Sequence, residues 1–348
     1  MHPLNLVVAT QTPLLRFDAK GEVPGPAGPD LPPHRLSPGG VCRIVLPTIE
    51  ELRGANWIGK THWYSLNPGA PPQVEIRGGA VTLHHMQMKP GEVEAYGRSK
   101  EKLWADIHGL PSPGLQAEDF RQYVRYNART ADSILEHAEE LDLAYIHDFQ
   151  LMQVGGLLGL AAPCVLHWHV PWDPQRMPPY TRQFLLRMME DFDAVIVSCR
   201  RDLQGLMDAG FRGRVRQVSP HIEPKDWPTP TAKDIADLEE AWGLRPDDPL
   251  FLLVARMDPM KRQDLAVRAF ARAARRLPRA RLVLVGNGSF SGGLGKDKGL
   301  GKAERWRQHL EDEVARLKLQ DRVLFTHWVP DGLLGAAYAR STAVLLPS

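Results

Sequence analysis

The sequence is poor in cysteine, with Cys42, Cys164 and Cys199 the only three among 348 residues, too few and too scattered for a disulfide framework. That excludes the small disulfide-stapled secreted scaffolds and predicts a cytoplasmic protein. An uncharged apolar run of about 18 residues is missing, and the opening MHPLNLVVATQTPLL has no basic stretch ahead of a long apolar core. Neither a transmembrane helix nor an export signal is therefore expected. Net charge is also small, 43 Lys+Arg against 41 Asp+Glu, and no basic stripe is interleaved with aromatics, so nucleic acid is not an expected partner. The Gly-rich GNGSFSGGLGKDKGLGK contains no G-x-x-x-x-G-K-[ST], which removes a P-loop kinase. Nor is there a complete G-x-G-x-x-G with an acidic residue about 20 positions on, as a dehydrogenase requires.

What remains is an ordinary globular composition, 43% hydrophobic and 24% charged, long enough for about two domains. Short β-branched runs alternate with longer amphipathic stretches from about residue 140 onward, the pattern of parallel strands joined by crossover helices, so the class is α/β. Expected strands in the first half are Leu4 to Thr10, Ala80 to Met86, Leu143 to Phe149, Pro163 to Val170, Ala194 to Cys199 and Val215 to Pro220. Expected helices lie near 41–53, 117–140, 177–190 and 200–209. Four prolines in SPHIEPKDWPTPTAKD then interrupt the rhythm, which reads as a linker. Beyond it the alternation restarts: strand Leu250 to Met257, helix Lys261 to Leu277, strand Arg281 to Gly286, helix Lys302 to Leu319, strand Arg322 to Val329, helix Asp331 to Arg340, strand Thr342 to Leu346. The expected organisation is a Rossmann-like domain over 1–222, a linker over 223–233 and a second Rossmann-like domain over 234–348. The segments 12–38 and 287–301 read as surface loops. Two such sheets would turn the C-terminal ends of their strands to a cleft, where doubly wound sheets bind ligands. An anion is better placed on the second half, since 226–348 carries 20 basic against 16 acidic residues.

The most chemically suggestive run is Val254-Ala-Arg-Met-Asp-Pro-Met-Lys261, which ends a strand and opens a helix. Arg256 and Lys261 bracket the turn, and a helix N-terminus adds free N–H groups and a positive dipole end, so a diphosphate would meet three favourable partners. The competing reading pairs Arg256 with Asp258 and leaves Lys261 in solvent. Asp148 and His169 fall at strand ends, where a carboxylate can accept bonds from sugar hydroxyls and an imidazole can donate one. His147 and His167, within strands, read as satisfied structural residues. A metal site of Cys164, His167 and His169 fails because the strand period of two puts Cys164 on the opposite face. Asp191-Phe-Asp193 is formally a D-x-D, but it sits at a helix end before a buried strand and is read as non-metal. Arg268, Arg272, Arg275, Arg276 and Arg279 form one helical face, read as solvated, with weak attachment to an anionic membrane surface as the minor alternative.

The runs VARMDPMKRQDLAVRAF, RARLVLVGNGS, DRVLFTHWV and YARSTAVLLPS, in that order, resemble the donor-nucleotide domain of retaining glycosyltransferases of the GT-B fold. The resemblance implies that Arg256 and Lys261 hold the donor diphosphate. The first half is similar to trehalose-phosphate synthases: Gly39-Gly40, Trp57-Ile-Gly59, Tyr96 with Leu103-Trp104 and His108, Tyr123 to Asn127, His147-Asp148-Phe-Gln-Leu-Met152, His169-Val-Pro-Trp172 and Ile222-Glu223-Pro224 stand where that family has its motifs. By this likeness Gly39 and Gly40 approach the donor phosphates, Asp148 and His169 are catalytic, and Tyr96 and Trp104 line the acceptor pocket. No metal and no cofactor are implied beyond the nucleotide sugar itself.

The sequence also departs from that family. An Arg expected after the first strand for an acceptor phosphate is absent from Ala9-Thr10-Gln11, with Arg16 the nearest substitute, and Asn287 to Gly295 holds no second one, with Lys296 and Lys298 as stand-ins. A neutral sugar or polyol is thus a competing acceptor. The family continues past Pro-Ser with two carboxylates seven residues apart and closing helices, whereas this sequence stops at Pro347-Ser348, so the second domain is expected to be truncated. The implied activity is transfer of a hexosyl unit from a nucleoside-diphosphate sugar to a sugar, sugar phosphate or polyol, with retention. A non-catalytic nucleotide-sugar binder and a GT-B-fold sugar epimerase are the alternatives.

Overall fold

The computed structural model describes residues 2–17, 34–37, 40–112, 114–159, 161–222, 227, 229–286, 288, 301–327 and 329–348. The chain divides into two compact units, Met1–Ile222 and Glu223–Ser348. Each is built on its own parallel sheet.

The first unit runs β1 (Leu4–Thr10), β2 (Leu15–Phe17), β3 (His34–Leu36), α1 (Gly40–Gly54), β4 (Ile58–Leu66), β5 (Gln73–Ile76), β6 (Val81–Met86), α2 (Pro90–Ile107), α3 (Ala117–Leu135), β7 (Leu143–His147), α4 (Val154–Leu158), β8 (Cys164–Trp168), α5 (Pro179–Glu190), β9 (Ala194–Val197), α6 (Arg200–Asp208) and β10 (Val215–Gln217). Its main sheet has the order β10-β9-β8-β7-β1-β4-β6-β5, parallel except for β5 against β6, while β2 and β3 form a separate hairpin. Side chains alternate along each strand. One face therefore carries Val7, Ala9, Tyr64, Ala144, Ile146, Leu166 and Trp168, packed with Tyr96 and Leu103 of α2 and Tyr123, Tyr126 and Ile134 of α3. The other carries Leu6, Val8, Trp63 and Leu83 against Cys42, Val45, Leu46 and Ile49 of α1.

The second unit runs α7 (Ala232–Trp242), β11 (Leu250–Val254), a 3-10 turn (Pro259–Lys261), α8 (Gln263–Ala273), β12 (Arg281–Val285), α9 (Lys302–Arg316), β13 (Val323–Thr326), α10 (Asp331–Arg340) and β14 (Ala343–Val344). Its four strands are all parallel, in the order β13-β12-β11-β14. The central strands LFLLV and RLVLV bury both faces, one under α8 and α9, the other under α7 and α10. At the end of β12, Gly286 has φ +137°, and a Cβ there would lie 2.0 Å from the Ala255 carbonyl oxygen. Glycine at this position lets the ends of β11 and β12 touch.

Several expectations need correction. β4, α2 and α7 were not anticipated. β4 carries Gly59, Lys60 and His62 among its apolar residues and so hides its period. The start of α2 is marked by Pro90 in its first turn and by Glu92, whose carboxylate accepts the Lys89 N–H at 3.0 Å. α7 begins within the expected linker, because Thr231 and Asp234 form a reciprocal cap: Asp234 N–H to Thr231 Oγ1 at 3.2 Å, Thr231 N–H to Asp234 Oδ2 at 2.7 Å. α8 begins at Gln263, not Lys261, after Arg262 in the left-handed region, and ends at Ala273. Arg275, Arg276 and Arg279 therefore do not extend a basic helical face, and Arg268 is tied to Asp264 and Glu313, each at 3.1 Å. No helix among the described residues is long and apolar enough to cross a membrane.

Candidate functional site

In the first unit the polar residues collect where β7 and β8 end. Tyr145, His147, His167 and His169 lie on the sheet face opposite Ala144, Ile146 and Cys164, as the period of two requires, and the register sets His147 against His167. His147 Nδ1 and His169 Nε2 are 2.9 Å apart, Tyr145 Oη and His167 Nδ1 are 2.5 Å apart, and the His167 and His169 rings stack at 3.9 Å. Burial holds all three imidazoles neutral: His147 titrates well below the usual histidine range, His167 is pushed down to about 3 and His169 to about 4. His169 stays half-buried, open enough to meet a ligand.

Asp148 is the strained residue of this cluster, with φ 61° and ψ 178°, a region that costs a non-glycine residue about 1–3 kcal/mol. Its backbone N–H donates to the His167 carbonyl at 2.9 Å and its Oδ1 accepts the His169 N–H at 2.7 Å, so it bridges both strand ends. Removal from water raises its carboxyl to about 7, against those accepted backbone bonds and the His108 charge, which pull it down. The following segment is pinned by α3: Tyr123 Oη donates to the Phe149 carbonyl at 2.6 Å, Asn127 Nδ2 to the Gln150 carbonyl at 3.1 Å, and Gln153 N–H to Asn127 Oδ1 at 3.1 Å. The Tyr123-to-Asn127 spacing, one helical turn, thus anchors the segment that follows Asp148.

The aromatic candidates divide. Tyr96 is a correction: it is fully buried in the α2–α3 core, with its ring centroid 4.7 Å from that of Tyr126, and presents no surface to an acceptor. Its position on the inner stripe of α2 is the reason. Trp104 is half-buried beside His108, centroids 4.4 Å apart. Gly40 opens α1 exposed, whereas Gly39, Glu223, Pro224, Lys296 and Lys298 lie outside the described residues. Asp193 serves its strand, accepting the Cys164 N–H at 2.7 Å.

In the second unit Arg256 and Lys261, both half-buried, flank the turn after β11. Asp258 between them is fully buried: Oδ1 caps the turn by accepting the Met260 N–H at 3.1 Å, and Oδ2 pairs with Lys302 Nζ at 3.1 Å. Lys261 has no ion-pair partner among the described residues. Gln263 fixes the turn from behind, Nε2 donating to the Arg256 carbonyl at 2.7 Å while Oε1 accepts from Trp306 Nε1 at 2.9 Å. Gln263 and Lys302 were missed from sequence. Lys302 follows the Gly-rich run, and nothing in spacing links it to a carboxylate 44 positions earlier. Among the described residues, two groups have the spacing to hold a metal ion, their ligand atoms within 4.8 Å of one another: His147, His167 and His169 here, and His62, His84 and His137 elsewhere in the first unit.

Residues 234–348 match the glycosyl transferases group 1 family. A trehalose-6-phosphate synthase of Mycolicibacterium smegmatis is 29% identical over 146 residues, 40% of this chain and 28% of that protein. A trehalose synthase of Rubrobacter xylanophilus is 25% identical over 177 residues, 50% of this chain and 42% of that protein. The matches thus span less than half the length of these curated relatives. An E. coli structure described as trehalose-6-phosphate bound with UDP-2-fluoro glucose superposes with a TM-score of 0.74 at 18% identity, covering 98% of this chain and 78% of that one. The second unit is accordingly a glycosyl transferases group 1 domain, in a chain that has the GT-B fold of the trehalose-phosphate synthases.

Proposed function

We propose that the protein transfers a hexosyl unit, with retention, from a nucleoside-diphosphate sugar to a carbohydrate acceptor. The observation that carries this reading is the turn at 256–261, where two half-buried cations flank a buried, internally neutralised Asp258. With Asp258 already paired to Lys302, the charge of Lys261 is available to an incoming anion.

The chemistry needs the departing diphosphate stabilised while the anomeric carbon becomes oxocarbenium-like. Arg256 and Lys261 supply fixed positive charge where that negative charge develops, and the N-terminus of α8 adds N–H dipoles. Such preorganised charges act without reorganisation cost. In the first unit Asp148 accepts a hydrogen bond from an acceptor hydroxyl, and neutral His169 donates one to the sugar being moved. Strain at Asp148 keeps its carboxylate at a fixed angle, which favours one acceptor pose.

UDP-glucose is the first donor to try, since the E. coli relative's structure carries a UDP-2-fluoro glucose. For the acceptor, Ala9-Thr10-Gln11 at the end of β1 holds no cation: Thr10 Oγ1 donates to the Thr12 carbonyl at 2.7 Å and accepts Trp63 Nε1 at 3.0 Å, while Arg16, the nearest substitute in sequence, reaches Ser37 Oγ at 3.3 Å. A neutral sugar or polyol is favoured on that ground. The test incubates the protein with UDP-glucose and, in parallel, glucose, glucose 6-phosphate, a polyol or water. A glucosylated acceptor with retained configuration at the transferred sugar supports the reading. Donor binding without turnover gives a binding protein instead, and conversion of the donor without acceptor gives an epimerase.

A further inference from the structure

We infer that His62, His84 and His137 form a binding site for a divalent first-row transition metal, zinc foremost. The site is separate from the residues proposed for sugar transfer. Tyr64 pairs with His84 across β4 and β6, and His62, two positions before Tyr64, shares its face. That is the face covered by α3, and His137 follows the C-terminal end of this helix. The other triad, His147 with His167 and His169, occupies the opposite face of the same sheet.

The chemistry of the three rings suits a metal. Their ligand nitrogens lie within 4.8 Å of one another. His62 Nδ1 and His84 Nε2 are 2.9 Å apart, and the His62 and His137 rings lie 4.5 Å apart at 30°. Tetrahedral zinc with bonds of about 2.0–2.1 Å separates two ligand nitrogens by about 3.3 Å, so the His62–His84 pair opens by a few tenths of an ångström to admit the ion. The three imidazoles are closely spaced, and His137, half-buried beyond the helix end, leaves the group reachable from solvent.

The surroundings fix the ligand shell. The Tyr64 ring stacks on His84 at 4.3 Å and 7°, and its hydroxyl donates to the Ser133 carbonyl of α3 at 3.1 Å, holding strand and helix at one spacing. Glu140 acts electrostatically on His62 and Glu136 on Tyr64, while Lys60 opposes Glu140 at His62 and pairs with it at 3.8 Å. With three protein ligands, the fourth position is left for water or for one of these carboxylates. A metal here joins β4, β6 and the end of α3, and its binding free energy adds to the stability of the first unit.

The test uses untagged full-length protein, stripped with a chelator, reloaded with Zn2+ and freed of excess metal, then read by elemental analysis; Co2+ replaces Zn2+ for absorption spectra. The expected result is that His137→Ala removes one equivalent of bound zinc, the tetrahedral Co2+ bands and the zinc-dependent rise in melting temperature. His169→Ala keeps all three. His137 is half-buried beyond a helix end, so its replacement leaves the fold intact, checked by circular dichroism, and His84→Gln repeats the test from inside the sheet. Absence of bound metal, binding that survives His137→Ala, or loss in His169→Ala instead would each overturn the assignment.

Discussion

Asp258→Ala is the most informative perturbation of the candidate donor turn. The carboxylate does two jobs there: Oδ1 caps the 3-10 turn through the Met260 N–H, and Oδ2 pairs with Lys302 at 3.1 Å. Losing a cap of this kind costs about 1 kcal/mol. Breaking a wholly buried ion pair would cost about 3–5 kcal/mol. Here, however, the Lys302 side chain is 32% exposed, so solvent screening makes about 1–2 kcal/mol the better figure for the pair. The sum is about 2–3 kcal/mol of destabilisation. Urea unfolding of Asp258→Ala, Lys302→Ala and the double variant isolates the pair as a coupling of about 1–2 kcal/mol. Lys261 stands at the end of the capped turn, so affinity for UDP, measured by calorimetry, should fall in Asp258→Ala as well. A coupling below about 0.3 kcal/mol, together with unchanged UDP affinity, would refute the claim that this pair holds the turn.

Three further expectations can be checked with single variants. Gly286→Ala puts a Cβ 2.0 Å from the Ala255 carbonyl oxygen at φ +137°, so a loss of about 4 kcal/mol or more is expected; a soluble variant with unchanged melting temperature would contradict the close approach of β11 and β12. Asp148→Asn should flatten the pH profile of transfer: with the carboxyl raised to about 7, the wild-type rate rises as pH passes through neutrality and the accepting carboxylate forms. The same raised value stabilises the fold below the ordinary carboxylate range and is lost as pH rises through about 7, so the variant should also lose that slope in stability. Tyr96→Phe should leave acceptor KM unchanged and stability equal or higher by up to about 1 kcal/mol, because the Tyr96 hydroxyl is buried with no hydrogen-bond partner among the described residues; a rise in acceptor KM would restore Tyr96 to the pocket.

The parts legible in the sequence are those governed by local rules. Apolar runs such as LFLLV and RLVLV announce two-faced parallel strands, and Asp258-Pro259 marks the turn before α8. The period of two correctly separates Cys164 from His167 and His169. β4 escaped because Gly59, Lys60 and His62 interrupt its apolar residues, so its first half looks like a loop. The meeting of His147 with His167 and of Asp258 with Lys302 depends on strand register and helix placement, which no local pattern encodes. The role of Tyr123 and Asn127 in holding the Asp148 segment became physical only when their hydrogen bonds to the 149–153 backbone were visible.

The central claim is that Arg256 and Lys261 grip the diphosphate of the donor. Calorimetric titration of UDP into wild type and Lys261→Ala tests it most directly. The account predicts a loss of about 1.5–3 kcal/mol, roughly 10- to 150-fold in Kd, with folding unaltered. Equal affinity in the two proteins would contradict it.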